Sequence, residues 1–353
     1  MTLLEKQAAH RRFWDGAGPS LILIPTAEML QYDTRGYRER FENPELMWEA
    51  EMERARAVIG WPTDGIPTVR PNLGVVFVPA LAGAGYQIRE GQMPWPGKPL
   101  DRAAIRAVRE AGVAHSRMMS LAECFYRIHR QRGGGEIAAC HPDTQGVFDI
   151  AHLLYGESIL FELADDPAWV EELLEISLDL YRRASECLKT LLGEPACQMI
   201  HGHGTAQGVW FPHAGVRVSE DTCTLLSPRM IERFVLPCME RAMQPFGGGF
   251  AHFCGRRRFL FEALCRMPLV RAIDLGNSEM YDPAWLLERC AETGTVLYSR
   301  MAAEPGEDWT GYVRRIGGLV KRTGARMILR PLVFPSARGE CAAMRELWRE
   351  ATR

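Results

Sequence analysis

The stretch Gly247-Gly248-Gly249-Phe250-Ala251-His252-Phe253-Cys254-Gly255 decides the fold. A glycine turn feeds a short apolar run that ends in an imidazole and a thiol. Read as a strand over 249–254, it is short and continuously apolar, as strands buried on both faces are. Residues i and i+2 of a strand share a face, so His252 and Cys254 point the same way at its C-terminal tip. Such a pair can hold Zn²⁺. It can also be bland, because Cys is among the most buried residue types and a strand His is often only hydrogen-bonded in the core. The run Arg256-Arg257-Arg258 that follows is either a solvated helix start or an anion-binding rim.

Working outward, helical and strand patterns alternate. The spacing predicts helices over 101–112, 116–131, 166–192, 228–243, 257–266, 282–293, 308–323 and 338–351. Between them lie expected strands at 136–141, 196–201, 249–254, 269–275, 295–300 and 325–330. Repeated βα units of this length argue for a parallel sheet. One or two further strands in 61–90 bring the count towards eight, which favours a single-domain α/β fold of the (β/α)₈ barrel type over an open sheet. Dinucleotide binding is disfavoured, since no GxGxxG opens a helix after a strand. Residues 1–60 read as a helical lid or outer layer on a barrel spanning 61–353, with Leu21-Ile22-Leu23-Ile24 as a short strand and Asn43-Pro44 as a helix start.

What the expected strands end in is informative. Their tips offer Arg70 and Asn72, His141 and Asp143, His201 and His203, His252 and Cys254, Asp274 and Asn277, then Arg300 and Arg330. Parallel βα strands present their C-terminal ends at one rim, where barrel active sites lie. Strand ends are often polar for want of burial, but recurrence at nearly every tip points to a catalytic rim. In the loop His201-Gly-His203-Gly-Thr-Ala-Gln207, the two histidines read as acid/base groups, as metal ligands, or as hydrogen-bonded surface. Asp274 reads as a carboxylate orienting a histidine ligand or as a turn cap. Arg300 and Arg330 read as clamps for substrate carboxylates or as surface ion pairs.

Composition narrows the class. The 353 residues are 47% hydrophobic and 24% charged, with a net charge of −2. That is ordinary globular composition without a basic footprint for nucleic acid. No stretch reaches membrane-spanning length, and the first twelve residues lack the apolar core of a secretory signal. Ten cysteines are scattered without a CxxC, so a cytoplasmic protein with reduced thiols is expected.

One order of motifs carries a resemblance. Arg217-Val-Ser219-Glu-Asp221 and Ser227-Pro228 precede Gly249-Phe-Ala-His252-Phe-Cys254-Gly255, and Leu269-Val-Arg-Ala-Ile-Asp274-Leu-Gly276 follows. With Pro142-Asp143-Thr-Gln-Gly146 through Gly156, this order resembles the uroporphyrinogen decarboxylase superfamily in scattered blocks over roughly residues 40–335. The resemblance implies a (β/α)₈ barrel and, more weakly, a homodimer. Within that group the His-x-Cys at His252 and Cys254 is similar to the zinc-dependent, corrinoid-linked methyltransferases.

The decarboxylase branch is matched less well. Its N-terminal arginine-rich substrate motif is missing, and Asn72 stands where those enzymes hold pyrrole NH groups with an aspartate. The expected function is therefore methyl transfer at a zinc-held substrate, with a corrinoid carried by a partner protein or a methylated small molecule. A tetrapyrrole decarboxylase gripping its substrate with Arg70, Asn72, His141, Asp143, Arg300 or Arg330 is one alternative. A corrinoid- or tetrapyrrole-binding protein without turnover is the other. The methyltransferase branch takes a third ligand from a cysteine after the last strand, where this chain reads Leu329-Arg330-Pro331-Leu332. Cys341, His201, His203 or a carboxylate is left to supply it, or the third ligand is absent.

Overall fold

Strand β9, Gly249–Phe253, lies inside a six-stranded sheet whose neighbours all run parallel. The computed structural model describes residues 2–26, 36–89, 92–110, 112–202 and 206–353. The sheet runs β1 (Leu21–Ile22), β12 (Met327–Leu329), β11 (Val296–Ser299), β10 (Val270–Leu275), β9 and β8 (Val216–Ser219). A second sheet has the order β5 (Ala138–Ala139), β2 (Ile66–Val69), β7 (Gln207–Phe211), β6 (Met199–His201). There β2 pairs parallel with β5, while β7 runs antiparallel to both β2 and β6. Tyr86–Gln87 (β3) and Trp95–Pro96 (β4) form a small separate ribbon.

The period of two organises the interior. Phe250, Ala272, Val296, Tyr298 and Ile328 share one face of β9 to β12 and meet Leu21, Met199 and Phe211 in one apolar cluster. The rings of Phe211 and Tyr298 lie 5.1 and 5.3 Å from that of Phe250. Burying such side chains fully contributes roughly 1.5–3 kcal/mol each. A larger cluster fills the layer between the strands and the helices. Side chains from both sheets therefore meet on one inner side, with helices on the other.

The expected helices form nearly where periodicity placed them, including Pro167–Leu192, Arg258–Arg266, Pro283–Thr293, Trp309–Thr323 and Arg338–Ala351. The stretch expected as one helix over 228–243 is α-helical at Pro228–Met230, π-helical at Ile231–Val235 and α-helical again at Leu236–Met243. Proline lacks the N–H that an α-helix would use at 237, which suits the wider turn before it. The helix expected at 101–112 closes early, Arg102–Ala107 being followed by a 3₁₀ turn at Val108–Glu110.

Two corrections concern strands. No strand was expected between 201 and 249, yet β7 and β8 lie there. The N-terminal stretch contributes a strand to the main sheet, since β1 is paired with β12. Asp64, 2% exposed, reinforces that pairing: its carboxylate accepts from Ile22 N at 3.0 Å and from two nitrogens of Arg345 at 2.6 and 2.8 Å. Among the described residues no helix is long and apolar enough to cross a membrane.

Candidate metal centre at the strand ends

The inner face does not stay apolar along the strands. Two residues beyond Phe250 stands His252; two beyond Ala272, Asp274; two beyond Ile328, Arg330; and beyond Arg217 and Ser219, Asp221. Register makes neighbours of them: His252 lies opposite both Ser219 and Asp274 on the adjoining strands. The side chains that alternation turns inward thus become titratable as the strands reach their C-terminal ends.

His252 is held from both sides. Its Nδ1 lies 2.8 Å from Asp274 Oδ2, and its Nε2 lies 3.6 Å from Cys254 Sγ and 3.5 Å from Asp221 Oδ1. A carboxylate acceptor at Nδ1 favours the tautomer with its proton there, leaving the Nε2 lone pair facing sulfur and carboxylate. Asp274 is in turn paired through Oδ1 with Arg330, whose guanidinium lies 4.6 Å from the Tyr298 ring centre. Burial alone would raise the Asp274 carboxyl, but Arg330 and His252 outweigh it and hold it far below the usual carboxylate range. Of the two readings open to Arg330, substrate clamp or ion pair, the structure shows an ion pair, with the buried Asp274.

Asp221, Cys254 and His252 bring one donor atom each within 4.8 Å of one another. Cys254 is open to solvent at the strand tip, and its backbone N–H donates to Asp221 Oδ1 at 2.6 Å. Partial burial and the adjoining Asp221 carboxylate push its thiol up to about 12. Two donors that bear negative charge when ionised thus adjoin one imidazole lone pair. Asp221 itself is fixed by a reciprocal clamp. Asp149 accepts from Asp221 N at 2.7 Å and Thr222 N at 2.9 Å, while Glu220 accepts from Phe148 N at 3.2 Å and Asp149 N at 3.0 Å. Glu220 thereby caps the N-terminus of helix Val147–Tyr155 from a distant part of the chain.

Glycine makes room for the thiol. A Cβ at Gly276 would lie 2.4 Å from Cys254 Sγ, and Gly255, with φ +90°, turns the chain away directly after it. We expect Gly276→Ala to displace the sulfur and to weaken Zn²⁺ binding by roughly tenfold or more, at about 1–3 kcal/mol of fold stability. Competition against a chromophoric chelator, beside a melting curve, checks both.

The other expected site residues fall in different places. Asp143 forms an ion pair with the buried Arg217, Nη1 to Oδ1 at 3.0 Å; burial raises its carboxyl, but Arg217 and Arg70 bring it below its usual range. His141 Nε2 contacts Glu194 Oε2 at 2.9 Å, and His201 packs its ring 5.0 Å from that of Phe250. These four side chains edge one small polar cavity beside the strand ends. Arg70 and Asn72 line a separate cleft of about 260 Å³ with Glu51, Thr68 and Gly202. Arg300, exposed, donates to Gly276 O at 3.0 Å.

Cys341 does not join His252 and Cys254. It is buried on the last helix, where its Sγ donates to Pro335 O at 3.2 Å. His203 lies outside the described residues. Asp221, a carboxylate that the sequence offered only as an unnamed class of ligand, is the third residue grouped with His252 and Cys254. Its signal was the i, i+2 spacing from Arg217 and Ser219, visible only once β8 is known to be a strand.

No protein-family model and no curated protein sequence matches the chain. Among solved structures the fold is similar to that of a methyltransferase from Methanosarcina mazei, with a TM-score of 0.67 at 12% sequence identity, covering 97% of this chain and 98% of that one. At that identity the likeness is one of fold.

Proposed function

We propose that the chain is a zinc-dependent methyltransferase of the uroporphyrinogen decarboxylase superfamily, its two sheets closing as one (β/α)₈ barrel. Convergence of both sheets on a single inner cluster supports closure. The observation that carries the function is the trio of imidazole, thiol and carboxylate within 4.8 Å at the strand ends. Three protein donors on a solvent-facing site, leaving a position open, are the pattern of catalytic zinc. The raised thiol fits the same reading, because the adjoining Asp221 carboxylate disfavours a thiolate at Cys254 until a cation adjoins them.

Zinc held there by His252, Cys254 and Asp221 would supply Lewis acidity, lowering the pKa of a substrate thiol or hydroxyl. The protein's own groups do the rest. Asp274 fixes the orientation and tautomer of His252, and Arg330 keeps Asp274 ionised. The Asp149–Glu220 clamp sets Asp221 against the strand. The cleft at Arg70 and Asn72 accepts a small anionic or polar substrate, its guanidinium suited to a carboxylate. That substrate would exchange the methyl group with a corrinoid on a partner protein, or with a methylated small molecule. Ten free thiols suit a reducing cytoplasm, and a homodimer is the expected assembly.

Zinc-loaded protein given methylcobalamin and a panel of small thiols is expected to form S-methyl thioether in step with loss of the cobalt–methyl absorbance, and to stop on chelation. Transfer that chelation leaves untouched, or uroporphyrinogen turnover in its place, would overturn the reading.

A further inference from the structure

The opposite ends of the same strands enclose a second, larger space. A cavity of about 880 Å³ opens where β9 to β12 begin, touching Gly247, Val270, Thr295 and Arg326. One wall is apolar: Trp14 and Phe211 lie with ring centres 5.1 Å apart, and Met267 also lines the cavity. Arg266, Arg271 and Arg326 also line it, and no carboxylate does. At the metal end each buried guanidinium has an acidic partner, Arg217 with Asp143 and Arg330 with Asp274. Here none of the three has one among the described residues.

The guanidinium planes of Arg271 and Arg326 are instead fixed by backbone oxygens. Arg326 Nη1 donates to Trp14 O and its Nη2 to Gly294 O, each at 2.9 Å. Arg271 donates to His213 O at 3.3 Å, Pro268 O at 3.1 Å and Gly247 O at 3.4 Å. Carbonyls orient a guanidinium without cancelling its charge, and five N–H groups leave donors over for a ligand. Partial burial disfavours the charge of Arg326, with nothing opposing that effect.

We propose that this cavity is a binding site for a small organic anion: a carboxylate or phosphate head held by the arginines, with an apolar ring-sized body against Trp14 and Phe211. Its size suits such a ligand. Val270 borders the cavity and Asp274 the metal centre, four residues apart on β10. At the strand rise that is about 13 Å, so a ligand here does not touch the reacting groups. The site is a separate one.

Titration calorimetry with 1-naphthoate, 1-naphthyl phosphate and uncharged 1-naphthol tests it on the zinc-loaded full chain. We expect saturable binding of at least one anion at one site per chain, about tenfold or more tighter than the naphthol. Whichever anion binds more tightly names the head group. Arg266→Gln, an exposed position, and Arg266→Gln with Arg271→Gln should weaken it stepwise by about tenfold overall, with zinc content unchanged. Absence of saturable anion binding, equal affinity for naphthol, or unaltered affinity in both variants overturns the proposal.

Discussion

His252→Ala protein should emerge from purification with less than about a tenth of the zinc of the unaltered chain, for which we expect about one ion per molecule. Donor strength decides the outcome, since each single removal leaves two donors. Removing the imidazole leaves a carboxylate and a thiol that must first lose its proton, without the donor whose Nε2 faces both. Cys254→Ser should lose the ion to a similar degree, since a serine hydroxyl does not replace a thiolate. Asp221→Ala should weaken binding without abolishing it, as two donors and an open face remain. Cys341→Ser is the control: its sulfur is occupied with Pro335 O on the last helix, and zinc content should not change. Metal retained in both His252→Ala and Cys254→Ser would place any ion elsewhere.

The same cysteine gives a second readout. A thiol held at about 12 must ionise to bind metal. Zinc uptake by the metal-free chain at pH 8 should therefore release about one proton per ion. Calorimetry in two buffers of different ionisation enthalpy measures it, and no release in the unaltered protein would remove Cys254 from the ligand set.

What could be read in advance follows from where the information sits. His252 and Cys254 were legible because strand alternation is local: two residues apart on a short apolar run suffices. Asp274 was legible for the same reason, and its role beside a histidine was one of the two readings its position allowed. Asp221 was not, because Val216-Arg217-Val218-Ser219 alternates for only four residues, too short a run to mark a strand by itself, and Arg217 is buried against Asp143 only in the fold. The helix Val147–Tyr155 was missed on related grounds. Gly146 gives it no side-chain cap, and the carboxylate that satisfies its first N–H groups belongs to Glu220, more than seventy residues on. Cys341 was expected near the metal because it follows the last strand in sequence, but only packing decides which side of the final helix faces the core. Each miss is a tertiary contact standing in for a local signal.

Asp274→Asn should separate what orients the site from what holds the fold together. Asp274 is 1% exposed and serves two partners, His252 through one oxygen and Arg330 through the other. The amide keeps the shape but removes the charge, leaving Arg330, fixed over Tyr298, without a counter-ion. Breaking a buried pair from one side costs about 3–5 kcal/mol, which for a chain of this size lowers the melting temperature by several degrees. Zinc affinity should fall by about 10–100-fold as the Nδ1 acceptor weakens. Arg330→Met should destabilise comparably yet disturb zinc less, because the Nδ1 contact survives. The double variant should be less destabilised than the sum of the two, the mark of a shared interaction. The sign with pH follows from the depressed carboxyl of Asp274: its contribution is complete above the unfolded carboxylate value of about 4 and declines as pH falls further. The stability gap between the unaltered chain and Asp274→Asn should therefore be widest near neutrality and narrow in acid. A gap that widened below about pH 4 would mean that Asp274 is not held ionised by Arg330, and the chain of contacts from Arg330 to the imidazole would lose its first link.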